Sequence, residues 1–150
     1  MFDRLAHVTF LAGILALVAA APLTAEQPAI TIDILATFDY PLATGITSPQ
    51  GINERGDVSG FYTDAVGTRG FLRLRNGQFS PPLIDPGDPG NFTQGRDLND
   101  AREVCGYFSE PNFSAFHGFF FLNGTFTTYD VPGATATIIT GLNNAGRVCG

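Results

Sequence analysis

The chain has 150 residues, 44% of them hydrophobic, and a formal net charge of −6, so it can bury a core and its composition argues against wholesale disorder. All eight basic residues are arginine and they are scattered, which leaves neither the positive footprint that nucleic acid demands nor a polybasic segment for anionic lipid. The 18 glycines, 10 prolines and 14 phenylalanines suit short strands joined by tight turns.

The first predicted element is an export signal over residues 1–25. Arg4 opens it, and the run from Val8 to Ala21 is apolar but too short to span a bilayer comfortably. Small residues follow from Ala19 to Ala25, which places cleavage after Ala25, with Ala21 the alternative site. A retained membrane anchor is the competing reading. Cleavage would leave a mature chain with no membrane span, secreted or periplasmic. The two cysteines, Cys105 and Cys149, are then expected as buried free thiols, a disulfide between them being the alternative.

Residues 26–150 read as a β-repeat domain. Three segments align directly: GINERGDVSG (51–60), DLNDAREVCG (97–106) and GLNNAGRVCG (141–150). Their anchors are Asn53, Asn99 and Asn143, and each ends on a glycine, at Gly60, Gly106 and Gly150. Asp39, Asp85 and Asp130 recur upstream at the same interval. Arg69-Gly70-Phe71 matches His117-Gly118-Phe119, and Asn76-Gly77 matches Asn123-Gly124. The repeat is therefore about 45 residues, with units over roughly 40–85, 86–130 and an incomplete 131–150.

Each repeat predicts four short strands. The first ends at Ile52, Leu98 or Leu142, and a turn follows with Asn at its start and Gly56 or Gly146 at a position of positive φ. Arg102 stands at that position in the middle repeat, so its turn is expected to differ. The second strand runs from Asp57 to Asp64 or Glu103 to Glu110, and its mid-strand glycine predicts close approach of a backbone or a ring. The third runs from Arg69 to Arg75 or His117 to Leu122 and ends on Asn-Gly, a strong hairpin signal. The fourth runs from Phe79 to Asp85 or Phe126 to Asp130, with Pro81-Pro82 marking a sheet edge. Residues 34–43 align with a fourth strand and its loop.

The expected fold is all-β: a partial β-propeller of four-stranded antiparallel repeats, each sheet hiding its apolar faces against its neighbours. Phe71, Phe79, Phe119, Phe120, Phe121 and Phe126 would fill the space between them. Gly150 falls inside a predicted strand, which favours a fragment of a longer array. Assembly of several copies into a ring, or a small open stack, are the alternatives.

At these residues the chain resembles the bacterial extracellular HAF-repeat family, named for a His-Ala-Phe triplet. The resemblance rests on Gly51-Ile52-Asn53 with Val58-Ser59-Gly60, on His117-Gly118-Phe119 and on the Asp130-to-Ala134 loop, and covers about residues 34–150. Arg69 departs from the triplet, as do Gly70 and Gly118 in place of Ala, and Asp97 replaces the first glycine of the start motif. The resemblance implies export and a propeller-like fold, and no catalytic residue.

For chemistry, His117 is the one histidine after residue 25, and no G-x-S-x-G elbow accompanies it; local bonding on a strand is the favoured reading over catalysis. The carboxylates Asp57, Asp64, Asp85, Asp88, Asp97, Asp100, Glu103 and Asp130 are spread through turns, and no spacing selects a glycosidase pair. Asp85 to Asp88 and Asn99-Asp100 are conceivable calcium loops without the EF-hand pattern. Asn91, Asn112 and Asn123 open glycosylation-type triplets read as turn chemistry. Arg73 and Arg75 are expected on a solvated strand face. No cofactor, metal or catalytic residue is expected. The resulting functional expectation is an exported, non-catalytic module with a binding or structural role toward an extracellular glycan or surface protein, with self-association possible. The alternative is a propeller-type carbohydrate-active enzyme using paired carboxylates.

Overall fold

A computed structural model describes residues 32–34 and 36–150; the predicted signal segment lies outside them. The chain divides between Leu35 and Ala36. Of the first part, Ile32 and Ile34 are exposed and without regular structure. The second part, Ala36–Gly150, is all-β apart from one 3-10 turn at Pro111–Phe113.

The second part holds nine strands in three antiparallel sheets. Sheet one comprises β1 (Thr47–Ile52), β2 (Val58–Thr63) and β3 (Thr68–Arg73). Sheet two comprises β4 (Thr93–Leu98), β5 (Val104–Ser109), β6 (Phe116–Leu122) and β7 (Thr125–Tyr129). Sheet three is β8 (Gly141–Leu142) and β9 (Val148–Cys149). In each sheet the strands lie in chain order, the meander that short turns impose. Among the described residues the sheets do not close a ring.

The register repeats as closely as the sequence does. Ile52 pairs with Val58, Leu98 with Val104 and Leu142 with Val148. The first strand slips register at the same place in two sheets, between Pro49 and Gly51 and between Gly95 and Asp97. A bulge of this kind re-aims the residues beyond it. It turns Gly51 and Asp97 toward the following sheet, and Leu98 back toward the preceding one.

The core lies between sheets. Leu98 and Val104 of sheet two pack with Leu72 and Leu83 of the first repeat, flanked by Phe121 and Phe126. Leu142 and Ile139 pack with Cys105 and Phe120 of sheet two. Tyr40, Tyr62 and Phe71 form a third cluster with Phe38 and Phe79, Tyr40 and Tyr62 stacking at 4.0 Å between centroids. Of the phenylalanines expected between sheets, Phe120, Phe121 and Phe126 lie in the clusters that join two sheets, whereas Phe71 and Phe79 pack with Phe38, Tyr40 and Tyr62 within the first unit.

The mid-strand glycines follow from this packing. Gly60 pairs with Phe71 and Gly106 with Phe119. A Cβ at either would come within 2.9 Å of the partner ring, so the ring lies across its glycine.

Several expectations need correction. Residues 79–85 form no strand: Phe79 and Leu83 reach β3 only through isolated bridges to Arg73 and Gly70. Pro81 and Pro82 supply no N–H for a ladder, so the first sheet has three strands. Residues 36–43 contain a turn and no strand. The middle turn does not differ from its neighbours: Arg102 takes φ 66°, beside 80° at Gly56 and 70° at Gly146. Arg73 is not on a solvated face, since its guanidinium lies 4.5 Å over the Phe38 ring. Cys105 is buried as expected, but Cys149 is exposed.

Candidate functional site

The three anchor asparagines build three identical turns. Each backbone N–H bonds the carbonyl four residues on: Asn53 to Asp57, Asn99 to Glu103 and Asn143 to Arg147. Each side-chain oxygen accepts from that same residue's N–H, at 2.9 Å from Asp57, 3.1 Å from Glu103 and 2.9 Å from Arg147. Asn is suited to this because its short amide mimics a backbone turn.

These turns are bonded to one another across repeats. The Asn53 side-chain amide donates to the Asn99 carbonyl at 3.1 Å, and the Glu54 N–H to Asp100 Oδ1 at 3.1 Å. One repeat on, the Asp100 N–H donates to Asn144 Oδ1 at 2.8 Å, and the Asn144 amide returns a bond to Asp100 Oδ2 at 2.7 Å. Asp97 accepts from its neighbour Leu98 N–H on one oxygen and from Leu142 N–H, in sheet three, on the other, both at 2.9 Å. A cleft of about 200 Å³ opens along this column, lined by Asn53, Asp97, Asp100 and Asn144 and by Ile52, Leu98 and Leu142.

Asp57, 1% exposed, ties the first two repeats from the side. It accepts from the Arg75 N–H at 2.9 Å and from Arg102 Nε at 2.7 Å. Burial opposes its ionisation, but the Arg102 guanidinium and the Arg75 amide outweigh that and hold its pKa below the ordinary value. This ion pair explains how a non-glycine residue keeps positive φ, a conformation costing about 1 kcal/mol or more.

The one histidine sits in a second cluster at the other end of β6. His117 Nδ1 lies 2.9 Å from Asp130 Oδ2, and Nε2 lies 3.5 Å from Glu110 Oε1. Its ring stacks on Phe108 at 5.1 Å. Asp85, 3% exposed, lies with Phe108 beside Gly87. One Asp85 oxygen accepts from Gly87 N–H at 2.8 Å, and the other is buried with no partner. Burial pushes its pKa up, and the nearby Asp88 adds to the rise. Asp88 itself accepts from the N–H groups of Gly90 and Phe92 and from the Thr93 hydroxyl. In the first repeat the His117 position is Arg69, which is buried and 3.8 Å from Asp64.

The landmark residues thus divide among three places. Asn53, Asn99 and Asn143 lie in the turn column, as does Asp97. Gly60, Gly106 and Gly150 lie on or beside the second strands. His117, Gly118 and Phe119 lie on β6, where Gly118 leaves room for Ile139 and Phe119 is fully buried. Asp130, on the loop after β7, meets His117 but is far along the chain from Asp97, and nothing pairs those two carboxylates. Among the described residues no three His, Cys, Asp or Glu side chains converge as metal ligands. Arg102 and Asp57 were not legible as a pair, although their separation of 45 residues equals the repeat. No family model matches the chain, and no curated protein or solved structure is significantly similar to it.

Proposed function

We propose that the chain is an exported, non-catalytic β-repeat module, a partial propeller of the HAF-repeat kind, which presents the loops of its repeats to a glycan or a surface protein outside the cytoplasm. The observation that carries this reading is where the repeated polar residues are spent. Asn53, Asn99 and Asn143 close turns, while Asp57, Asp97 and Asp100 bond the next repeat's atoms or the backbone. Asp64 and Asp88 accept backbone N–H groups of their own turns. Residues conserved between repeats for architecture leave the loops between them free to carry recognition. The four-strand unit is expressed most fully in sheet two, and the first repeat is a version of it with a broken last strand.

A second reading is favoured by one asymmetry. The His117, Glu110 and Asp130 grouping has no counterpart in the first repeat, where Arg69 and Asp64 stand, and an enzyme would concentrate its chemistry in one repeat. A glycan-array screen run beside a polysaccharide hydrolysis assay separates the two readings. Binding without turnover is expected. Turnover that disappears in Asp130→Ala or Glu110→Gln, with the melting temperature kept, would replace the module reading with the enzyme.

A further inference from the structure

We propose that the cleft between the first two repeats binds the acidic group of a glycan, a carboxylate or a sulfate, through the guanidinium groups of Arg75 and Arg102. The inference rests on the module reading above and names the class of glycan for it. Three departures from the repeat pattern meet at this place. Arg102 stands where the other repeats have Gly56 and Gly146, Asp57 where they have Glu103 and Arg147, and Arg75 where sheet two has Leu122. The corresponding positions at the next junction are Glu103, Leu122 and Gly146, which supply a negative charge and no positive one. The first departure carries a cost, since Arg102 holds φ 66° at a position that glycine fills freely. Strain kept in one repeat and absent from its equivalents points to a local role.

The cleft has a volume of about 380 Å³ and is lined by Asp57, Leu74, Arg75, Asn76 and Arg102. That volume falls within the range of small-ligand clefts, about 300–1,000 Å³. Its lining offers donors, and its side-chain acceptors are already used. Asp57 Oδ1 accepts from the Arg75 N–H and Oδ2 from Arg102 Nε. Asn76 Oδ1 accepts from the Gln78 N–H. The Nη groups of Arg102, the Arg75 guanidinium and the Asn76 amide donate to no described residue. Because Asp57 takes Nε alone, the far edge of the Arg102 fork stays open, and the side chain is 44% exposed. The Arg75 stem crosses the turn that holds Asp57: a Cβ on Gly56 would lie 3.5 Å from Arg75 Cγ. The Glu103 carboxylate, next to Arg102 in the chain, is engaged by the Asn99 amide at 3.0 Å. Two guanidinium groups against one carboxylate leave the lining positive in a chain of net charge −6. Guanidinium forks match the paired oxygens of an oxyanion.

Isothermal titration calorimetry of the full chain at low salt tests this with tri-galacturonate, its uncharged methyl ester and a sulfated trisaccharide. Binding of a charged sugar is expected, the tighter of the two identifying the group, and the ester is expected to bind at least about tenfold more weakly. Arg75→Gln is expected to weaken the charged sugar about tenfold to a hundredfold. Its melting temperature should not change, because Asp57 holds only the Arg75 backbone N–H. Arg75→Lys is expected to restore part of the loss, keeping the charge without the fork. Arg147→Gln removes an exposed positive charge from the third repeat and is expected to leave the affinity unchanged. Equal losses in Arg75→Gln and Arg147→Gln, or an ester bound as tightly as the charged sugars, would overturn the proposal. If neither charged sugar binds while a neutral glycan does, this inference falls and the proposed function stands. Hydrolysis of a charged sugar that Arg75→Gln binds more weakly would end the module reading and keep the cleft.

Discussion

The first sheet stops at β3, and residues 79–83 reach it through two bridges, whereas the second carries β7 across five paired residues. The first three strands of the two sheets nonetheless share register, bulge position and ring-over-glycine packing. The part common to these two sheets is therefore their first three strands. The first repeat compensates with residues 36–43, whose Phe38 and Tyr40 lie against Phe71 and Phe79. It also places the Arg73 guanidinium over Phe38, a contact that contributes about 0.5–2 kcal/mol depending on desolvation.

The hardest test of the equivalence is to remove the matching rings. Phe71→Ala and Phe119→Ala are each expected to cost about 3–5 kcal/mol, measured by urea unfolding. A difference between them above about 2 kcal/mol, the width of that range, would show that the two sheets do not share one packing scheme.

A smaller effect comes from the side tie between the repeats. Asp57→Ala removes a buried acceptor of two bonds and is expected to destabilise by about 2 kcal/mol. Arg102→Gly relieves the unfavourable φ but leaves the buried Asp57 carboxylate without its guanidinium, so it is expected to destabilise by about 1–3 kcal/mol less the φ relief. The double variant should cost less than the sum of the two, because both act on one contact. Additive behaviour would mean that Arg102 holds its conformation for some other reason.

The pH dependence separates the carboxylates of the first repeat by sign. Asp57 and Asp64 have depressed pKa values, Asp64 through the N–H groups of Gly67 and Val66. The stability they contribute is present above the unfolded carboxylate range and is lost as pH falls through their folded values. Asp85 has a raised pKa, so its contribution is present below the unfolded value and is lost as pH rises through the folded one. Asp85→Asn is accordingly expected to raise the melting temperature at pH 7 and leave it nearly unchanged in acid. An equal shift at both pH values would show that the partnerless oxygen does not titrate against folding.

The least perturbing probe is thiol chemistry. Burial pushes the Cys105 pKa up to about 12, while Cys149, at the equivalent position, is exposed. Maleimide should label Cys149 in the native chain and Cys105 only after unfolding, as read by mass spectrometry. Fast native labelling of both would mean that sheet three does not cover sheet two in solution.

Much of this architecture was legible in the sequence because it is carried by residue types with one strong local preference. The anchor asparagines announce their turns, the Asn-Gly at 123–124 marks a hairpin, and Gly60 and Gly106 announce a close neighbour. What was not legible depends on competition between effects. The prolines at 81 and 82 were read as an edge strand, but two consecutive missing donors leave only bridges. Arg102 was read as a local departure, because its turn is kept by Asp57, a partner in another repeat. Arg73 alternates like a solvent-facing residue, yet Phe38, from a segment that aligns with a fourth strand but forms none, covers it. For the candidate site, His117 and Asp130 were both visible, but their meeting with Glu110 depends on how the Pro111–Phe113 turn brings β5 back to β6.

The one-way bonding of the turn column bears on how the molecule forms. Sheet three offers only two short strands, and its Leu142 N–H and Asn144 side chain are held by Asp97 and Asp100 of the repeat before. A chain emerging from the ribosome N-terminus first would complete each template before the segment that needs it appears. Assembly would then advance along the array like a zipper, with the newest sheet the last to gain protection from hydrogen exchange.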